Sequence, residues 1–117
     1  MLLINERDMR WEKSDVANLQ IKNILTSYAV GEGNVTCGVS RWPFGEAGKP
    51  HIHETQDEIY IVLRGRGKAF LDGKYQILVP GDMVHARAGE VHAVVEGLSE
   101  NGVEMFYILI PTGKKEM

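Results

Sequence analysis

Short apolar segments alternate with turn-forming residues along most of the chain after residue 34. The segments are rich in Val, Ile, Tyr and Phe, which are enriched in strands, and Gly, Pro, Asp and Asn stand between them. No segment in this part of the chain has the spacing of an amphipathic helix. Closely spaced short strands predict an all-β fold, an antiparallel sandwich or barrel. The predicted strands are residues 35–44, 58–63, 68–71, 74–79, 83–86, 91–95 and 103–110.

The first 34 residues carry weaker and more mixed signals. Residues 25–30 favour a strand, and residues 2–4 favour a short strand at a sheet edge. Residues 10–13 indicate a turn or one helical turn, and the glycine-rich residues 31–34 indicate a loop. At the other end, Pro111 ends the last strand, and residues 112–117 are expected to form a charged, frayed tail.

The clearest hairpin signal is a single pair of residues. Asp72 and Gly73 lie between two predicted strands, and Asp-Gly is favoured in the two-residue turns that join antiparallel strands. Residues 64–67 predict a second tight turn, and Pro43 ends the strand of residues 35–44 or places it at an edge. These turns predict a meander of neighbouring antiparallel strands.

Alternation within residues 58–63 predicts which side chains are buried. Successive residues of a strand point to opposite faces, so Tyr60 and Val62 share the inward face with Glu58. The outward residues Ile59 and Ile61 are apolar as well, and residues 105–110 are apolar on both faces. We expect so apolar an outer face to be covered. We therefore predict a homodimer that packs sheet against sheet, with the N-terminal strand a candidate for exchange between subunits.

Length and composition limit the classes of protein that this chain can belong to. The 117 residues suffice for one domain with one core, and the formal net charge of −3 without any Lys/Arg block argues against nucleic acid as a partner. No apolar run approaches the roughly 20 residues that span a bilayer, which argues against a membrane partner. Cys37 is the lone cysteine, so it forms no intramolecular disulfide and predicts a reducing compartment, the cytoplasm by default. We expect Cys37 to be a small buried residue, with a reactive thiol as the alternative.

Three side chains suited to holding a divalent metal lie close together in the sequence. His51 and His53 have the same strand parity, so both imidazoles can aim at one point. Glu58 has the opposite parity, so the chain must turn or bulge before it for the carboxylate to face the same interior. The polar residues 54–57 are suitable for that turn. The alternative is a coincidental cluster of surface histidines.

This pattern resembles the first motif of the cupin superfamily, small β-barrels of the jelly-roll type. That motif is a Gly, five residues, His-x-His, three or four residues, Glu, six residues and a Gly. It is met in full by Gly45, His51, His53, Glu58 and Gly65. The resemblance implies one cupin domain over residues 1–117, with its core motifs in residues 45–96 and N-terminal strands and loops in residues 1–34.

The second cupin motif is met in part. Gly81, Gly89 and His92 stand in register, but Arg87 replaces a Pro and Glu96 replaces an Asn. Arg87 and Glu96 either contact a ligand at the mouth of the pocket or pair with each other at the surface. The resemblance implies that one metal is coordinated by His51, His53, Glu58 and His92.

The softness of these ligands does not identify the bound metal, because the donor set suits Fe, Mn, Ni, Co, Cu and Zn. The leading hypothesis is a small metal-dependent enzyme, a dioxygenase, isomerase or lyase, that acts on a small oxygen-rich or anionic molecule. The alternative is a module that binds or senses a small sugar or carboxylate without converting it. The redox capacity of the bound ion determines which of these reaction classes are possible.

Several further residues are candidates for the pocket, each with a plainer alternative. Tyr60 is a core residue or a hydrogen-bond donor behind the metal ligands, or else it transfers a proton. Trp42 and Phe44 either wall the pocket or fill the core, and Arg41, like Arg87, is solvated or binds an anionic substrate. His85 lies outside the motifs, and hydrogen bonding at a turn is its expected role.

Overall fold

Ten β-strands and one short 3₁₀ turn make up the described part of the chain. The computed structural model describes residues 1–30 and 33–112, with the backbone alone for residues 27–30 and 33. The predicted tail therefore lies outside the described residues, apart from Thr112. The strands are β1 Glu12–Lys13, β2 Gln20–Val30, β3 Gly33–Trp42, β4 Gly45–Glu46, β5 Gln56–Arg64, β6 Gly67–Leu71, β7 Lys74–Leu78, β8 Met83–Ala86, β9 His92–Gly97 and β10 Val103–Pro111.

The strands form two antiparallel sheets that face each other. The larger has the order β1-β2-β3-β10-β5-β8, and the smaller has the order β4-β9-β6-β7. The chain crosses repeatedly from one sheet to the other, which is the arrangement of a jelly roll. The prediction of an all-β antiparallel jelly-roll barrel is confirmed.

The barrel interior is filled by inward-facing side chains, and β5 shows the alternation most clearly. Tyr60 is 3% exposed whereas its neighbour Ile61 is 37% exposed. This agrees with the predicted parity of residues 58–63. The core cluster consists of Trp42, Tyr60, Val62, Ala69, Leu78, Val94, Val103 and Met105.

The predicted hairpin at Asp72 and Gly73 joins β6 to β7. Both residues have positive φ, 50° and 81°, and Leu71 pairs with Lys74 across the turn. A two-residue turn with both φ values positive matches the right-handed twist of the flanking strands. The hairpin prediction is confirmed.

Three predictions for the N-terminal third of the chain are wrong. Residues 2–4 form no strand and are exposed, and Glu12–Lys13 is a strand rather than a turn. Asn34 lies in β3 instead of a loop, as does Gly33, while residues 31 and 32 lie outside the described part. The cause is tertiary pairing, since β1 is a strand only because it pairs with the start of β2.

An N-terminal segment, residues 6–11, covers part of the outer face of the larger sheet. Glu6 forms ion pairs with Lys22 at 2.9 Å and with Arg64 at 2.8 Å. The Trp11 ring lies 4.5 Å from the Lys22 ammonium and 4.4 Å from the Arg41 guanidinium. Because of these contacts, Lys22 is only 5% exposed although it points outward from the barrel.

Candidate metal centre

The site is built where an extended segment runs alongside β9. His51 and His92 exchange two backbone hydrogen bonds of 3.0 Å, which dock residues 51–53 against the start of β9. Only His51 is paired in this way, so His53 lies on extended chain outside any strand. His51 is therefore positioned by a β-bridge rather than by a continuous strand, and the His53 carbonyl accepts a hydrogen bond of 2.8 Å from the Gly89 N–H.

Glu58 reaches the same interior from β5. The chain bends at Glu54 and Thr55, and β5 begins at Gln56. The turn is therefore shorter than the predicted turn over residues 54–57, because Gln56 and Asp57 already belong to β5. The bend resolves the difference of parity between His53 and Glu58.

The four predicted ligands come together. One ligand atom from each of His51, His53, Glu58 and His92 lies within 4.8 Å of every other. The Glu58 Oε1 is 3.0 Å from His92 Nε2 and 3.7 Å from His53 Nε2. Donor atoms this close can converge on one ion at about 2.0–2.2 Å after small side-chain movements.

Backbone carbonyls orient two of the imidazoles. His51 Nδ1 lies 2.9 Å from the Lys49 oxygen, and His92 Nδ1 lies 3.0 Å from the Glu90 oxygen. A carbonyl only accepts, so each Nδ1 carries the proton and donates it. This leaves Nε2 of each ring free to coordinate an ion, and such a hydrogen bond from the other ring nitrogen supports histidine ligands in metal sites. The donor set therefore fits a divalent transition ion.

Mutual hydrogen bonding holds Glu58 ionised. Burial acts to raise its pKa, but interactions with the His53 and His92 imidazoles outweigh burial and lower the pKa from 4.5 to about 2. For His92, burial acts to lower the pKa, and the bonds to Glu58 and to the Glu90 carbonyl outweigh it, so the pKa is raised above 6.5. The negative charge of Glu58 beside the imidazole nitrogens also attracts a cation.

The four side chains open into a cavity of about 300 Å³ between the sheets. Its wall is mostly apolar, and no lysine or arginine is found among the described residues that line it. Ser14 and Ser40 add hydroxyl groups. The apolar wall includes Val16, Leu19, Ile21, Trp42, Val94 and Met105.

Two tyrosines line this cavity from neighbouring strands. Tyr60 on β5 is paired in register with Tyr107 on β10. The Tyr60 hydroxyl is buried and has no hydrogen-bond partner among the described protein atoms. Burial, with a contribution from the Glu58 charge, raises the pKa of Tyr60, and burial raises that of Tyr107. Both phenols are therefore protonated near neutral pH. Sequence reasoning missed Tyr107, although its parity with Met105 was a usable signal.

Comparison with known proteins agrees with this architecture. The family model of the cupin domain matches residues 38–109 of the chain, more than half of its length. This chain is a cupin.

Two curated proteins are similar in sequence. One is quercetin 2,3-dioxygenase of Bacillus subtilis, 28% identical over 92 residues. The other is the pectin degradation protein KdgF of Dickeya dadantii, 37% identical over 59 residues. These matches cover 79% and 50% of the cupin chain, but only 27% and 53% of the respective relatives. The chain thus spans about a quarter of one relative and about half of the other.

Solved structures match over nearly the whole chain. KdgF from Halomonas has a TM-score of 0.74 at 22% identity and covers 97% of this chain and 96% of its own. A predicted oxalate decarboxylase from Thermotoga maritima also has a TM-score of 0.74, at 20% identity, and covers 94% of this chain and 99% of its own. These similarities show the cupin fold. In addition, the described residues contain no helix of the length and apolar character required to cross a bilayer.

The cupin barrel brings Trp42 into the cavity wall but places the other pocket candidates elsewhere. Arg41 points to the outer face, where its Nε donates to Gln20 Oε1 at 2.9 Å. Phe44 is 66% exposed and is not among the residues that line the cavity, and the same holds for Arg87, which is exposed in a turn.

A bulge explains the position of Glu96. Val94 pairs with Ala69, but Glu96 pairs with Lys68, so one extra residue is inserted between them on β9. The bulge reverses the parity of the strand. Glu96 therefore lies beside Lys68, away from the interior that Val94 faces.

His85 and Cys37, the two remaining candidate residues, lie outside the cavity. The Nε2 of His85 is 3.0 Å from Asp57 Oδ2, and Ala88 donates its backbone N–H to the other oxygen of Asp57 at 2.9 Å. His85 thus forms a hydrogen bond, but from strand β8 instead of a turn. Cys37 is buried in β3.

Proposed function

We propose that this cupin is a metal-dependent enzyme that converts a small oxygen-rich molecule. The observation that carries the proposal is the convergence of three imidazoles and one carboxylate at the end of a cavity large enough for a compact ligand. We propose His51, His53, Glu58 and His92 as the metal ligands. An ion held by this set supplies Lewis acidity to a bound oxygen group and, if it is iron, access to dioxygen.

The protein's own contribution is to orient the ligand and to exclude water. The apolar wall of the cavity keeps bulk water from the bound molecule, which strengthens electrostatic interactions inside. Tyr60 places a protonated hydroxyl on the same face of β5 as Glu58. We propose Tyr60 as the catalytic residue that donates a hydrogen bond to the reacting oxygen.

Two reaction classes are supported by the named relatives. The similarity to quercetin 2,3-dioxygenase favours an oxygenase, and the similarity to a pectin degradation protein favours an isomerase or lyase that acts on a sugar acid. Turnover by protein loaded separately with iron, manganese, nickel, cobalt, copper or zinc decides between them. Oxygen uptake is measured with quercetin, and ketone formation is followed by NMR with uronic acids released from pectin.

The matched control for this experiment is the Glu58→Gln variant, which keeps the shape of the side chain and removes its charge. We expect turnover by the loaded wild-type protein and a loss of about 100-fold or more in the variant. Equal rates in both proteins would contradict the proposal.

A non-catalytic binding module is the second candidate. The observation in its favour is that, beyond the proposed ligands, tyrosines are the only side chains suited to acid–base chemistry among the described residues that line the cavity. Absence of turnover with every metal, together with measurable binding of a small ligand, would favour this function over the enzyme.

We further propose that the cupin is a homodimer that functions in the cytoplasm. Ile61 and Met83 are exposed side by side on the outer face of the larger sheet, and Leu2 and Leu3 are exposed at the N-terminus. This apolar surface supports a homodimer, and the single buried Cys37 supports a reducing compartment.

A further inference from the structure

The turn before His92, residues 87–90, is closed by hydrogen bonds between its two ends. The Arg87 N–H donates to the Glu90 carboxylate at 2.7 Å, and the Glu90 N–H donates to the Arg87 carbonyl at 2.9 Å. Proline, the residue that Arg87 replaces in the second cupin motif, has no N–H and could not make the first of these bonds. The Glu90 carbonyl accepts from His92 Nδ1 at 3.0 Å. Arg87 therefore allows Glu90 to fix the turn that orients His92.

The middle of the same turn is hydrogen-bonded to two other parts of the proposed metal centre. Gly89 donates its N–H to the His53 carbonyl at 2.8 Å. Ala88 donates its N–H to Oδ1 of Asp57, the neighbour of Glu58 on β5, at 2.9 Å. The turn is thus bonded directly to the chain at His53 and, through Asp57, to the strand that carries Glu58.

Asp57 joins β5 to this turn and also to β8. Its second oxygen, Oδ2, lies 3.0 Å from His85 Nε2, and the imidazole donates because an ionised carboxylate only accepts. With one bond on each oxygen, the direction of the carboxylate is fixed. Asp57 is not among the residues that line the cavity, so any effect it has on the site passes through its neighbours.

We infer that Asp57 is a positioning residue of the proposed metal centre and that it acts through the turn of residues 87–90. Asp57 holds the turn, and the turn holds His53 and His92 close to Glu58 before an ion binds. Hydrogen-bonded partners behind metal ligands typically change metal affinity by about 10–100-fold. The inference rests on the proposed function, because it assumes that an ion is held by the four ligands.

The test compares an alanine and an amide at position 57. Asp57→Ala removes the acceptor of the Ala88 N–H, and we expect its affinity for zinc, measured by competition with a chelator, to fall about tenfold or more. Asp57→Asn loses the charge but keeps an oxygen that can accept from this N–H, so we expect it to retain most of the affinity. Zinc binding as weak in Asp57→Asn as in Asp57→Ala would overturn the inference, because Asp57 would then act through its charge.

The matched control is Asp82→Ala. Asp82 also accepts a backbone N–H, from Val79 at 2.8 Å, but it does so in the turn between β7 and β8, outside the residues that line the cavity. We expect both alanine variants to lower the melting temperature of the metal-free protein, and only Asp57→Ala to weaken zinc binding. An equal loss of zinc affinity in the two variants would show general destabilisation and would overturn the inference.

Glu90 provides a second test, which stands even if Asp57→Ala fails to fold. Glu90→Ala removes the acceptor of the Arg87 N–H but keeps the main-chain carbonyl that His92 uses. We expect the affinity for zinc to fall about threefold or more, and Glu90→Gln, which keeps an acceptor oxygen, to retain it. Unchanged zinc affinity in Glu90→Ala would contradict a positioning role of the turn.

The zinc content of the wild-type protein, measured by elemental analysis, separates failure of the inference from failure of the metal centre. Wild-type protein that holds no zinc would contradict the metal centre and the inference with it. Wild-type protein that holds zinc, together with an unchanged affinity in Asp57→Ala, would overturn the inference alone and leave the metal centre intact.

Discussion

In the proposed metal centre, proton binding and metal binding compete at the imidazole of His92. Its Nδ1 donates to the Glu90 carbonyl, so the Nε2 that faces Glu58 is the atom that either binds a proton or coordinates an ion. The pKa of His92 is raised above 6.5, and protons therefore compete for this atom at a higher pH than at an ordinary histidine.

We predict that metal affinity falls as the pH is lowered from about 8 to about 6, because His92 must lose its proton before it can coordinate. Titration of chelator-treated protein with zinc at several pH values measures this dependence. A metal affinity that stays constant over this range would contradict the proposed role of His92.

Glu6 stabilises the fold through a buried cation. Its pKa is lowered below 4.5, chiefly by the hydrogen bond from Arg64, which outweighs burial, and further by Lys22. A carboxylate whose pKa is lowered in the folded state contributes stability above pH 4.5 and loses that contribution as the pH falls through its folded value.

We predict that Glu6→Gln lowers the free energy of unfolding at neutral pH by about 2 kcal/mol, since Lys22 stays buried without a counter-charge. The difference from the wild-type protein should shrink as the pH falls below 4.5. Denaturant unfolding measures both effects, and the exposed neighbour Asp8→Asn is the matched control. A constant difference at every pH would show that Glu6 acts through packing instead of charge.

Two glycines in turns illustrate, at the level of the element, why only some turn glycines are irreplaceable. Gly65 and Gly73 both have positive φ, 75° and 81°. A Cβ at Gly65 would overlap the carbonyl oxygen of Gly102, whereas a Cβ at Gly73 would meet no atom within 4 Å. Gly65, the last residue of the first cupin motif, therefore brings two backbone segments into contact where β5 ends.

We predict that Gly73→Ala costs about 1 kcal/mol of unfolding free energy, from backbone strain alone. Gly65→Ala should cost at least about 3 kcal/mol, since strain and a backbone clash add. Chemical denaturation of both variants measures the difference. Equal costs would mean that the β5–β6 turn moves to accommodate the side chain.

The apolar outer face of the larger sheet governs assembly of the whole molecule. Residues 6–11 cover one part of this face, while Ile61 and Met83 stay exposed on another. We predict a dimeric mass by light scattering at micromolar concentration, and a shift towards monomer in Met83→Asp, because a buried unpaired charge opposes association. A monomeric mass for the wild-type protein would contradict the proposed dimer.

The sequence predicts the barrel and its proposed metal ligands better than it predicts the pocket. His51 and Glu58 could be placed together because motif spacing and strand parity are local properties of the chain. Glu96 could not be placed, because its direction depends on a bulge that only pairing with β6 produces. Arg41 and Trp11 lie together on the outer face for a similar reason: residues far apart in sequence meet only in the folded sheet.

The metal content of the purified protein tests the central claim most directly. Elemental analysis is performed on wild-type protein and on His92→Ala, each equilibrated with zinc and then freed of unbound ion. We predict one ion per chain in the wild-type protein and a loss of most of that ion in His92→Ala. Wild-type protein without an ion, or a variant that retains a full equivalent, would contradict the account.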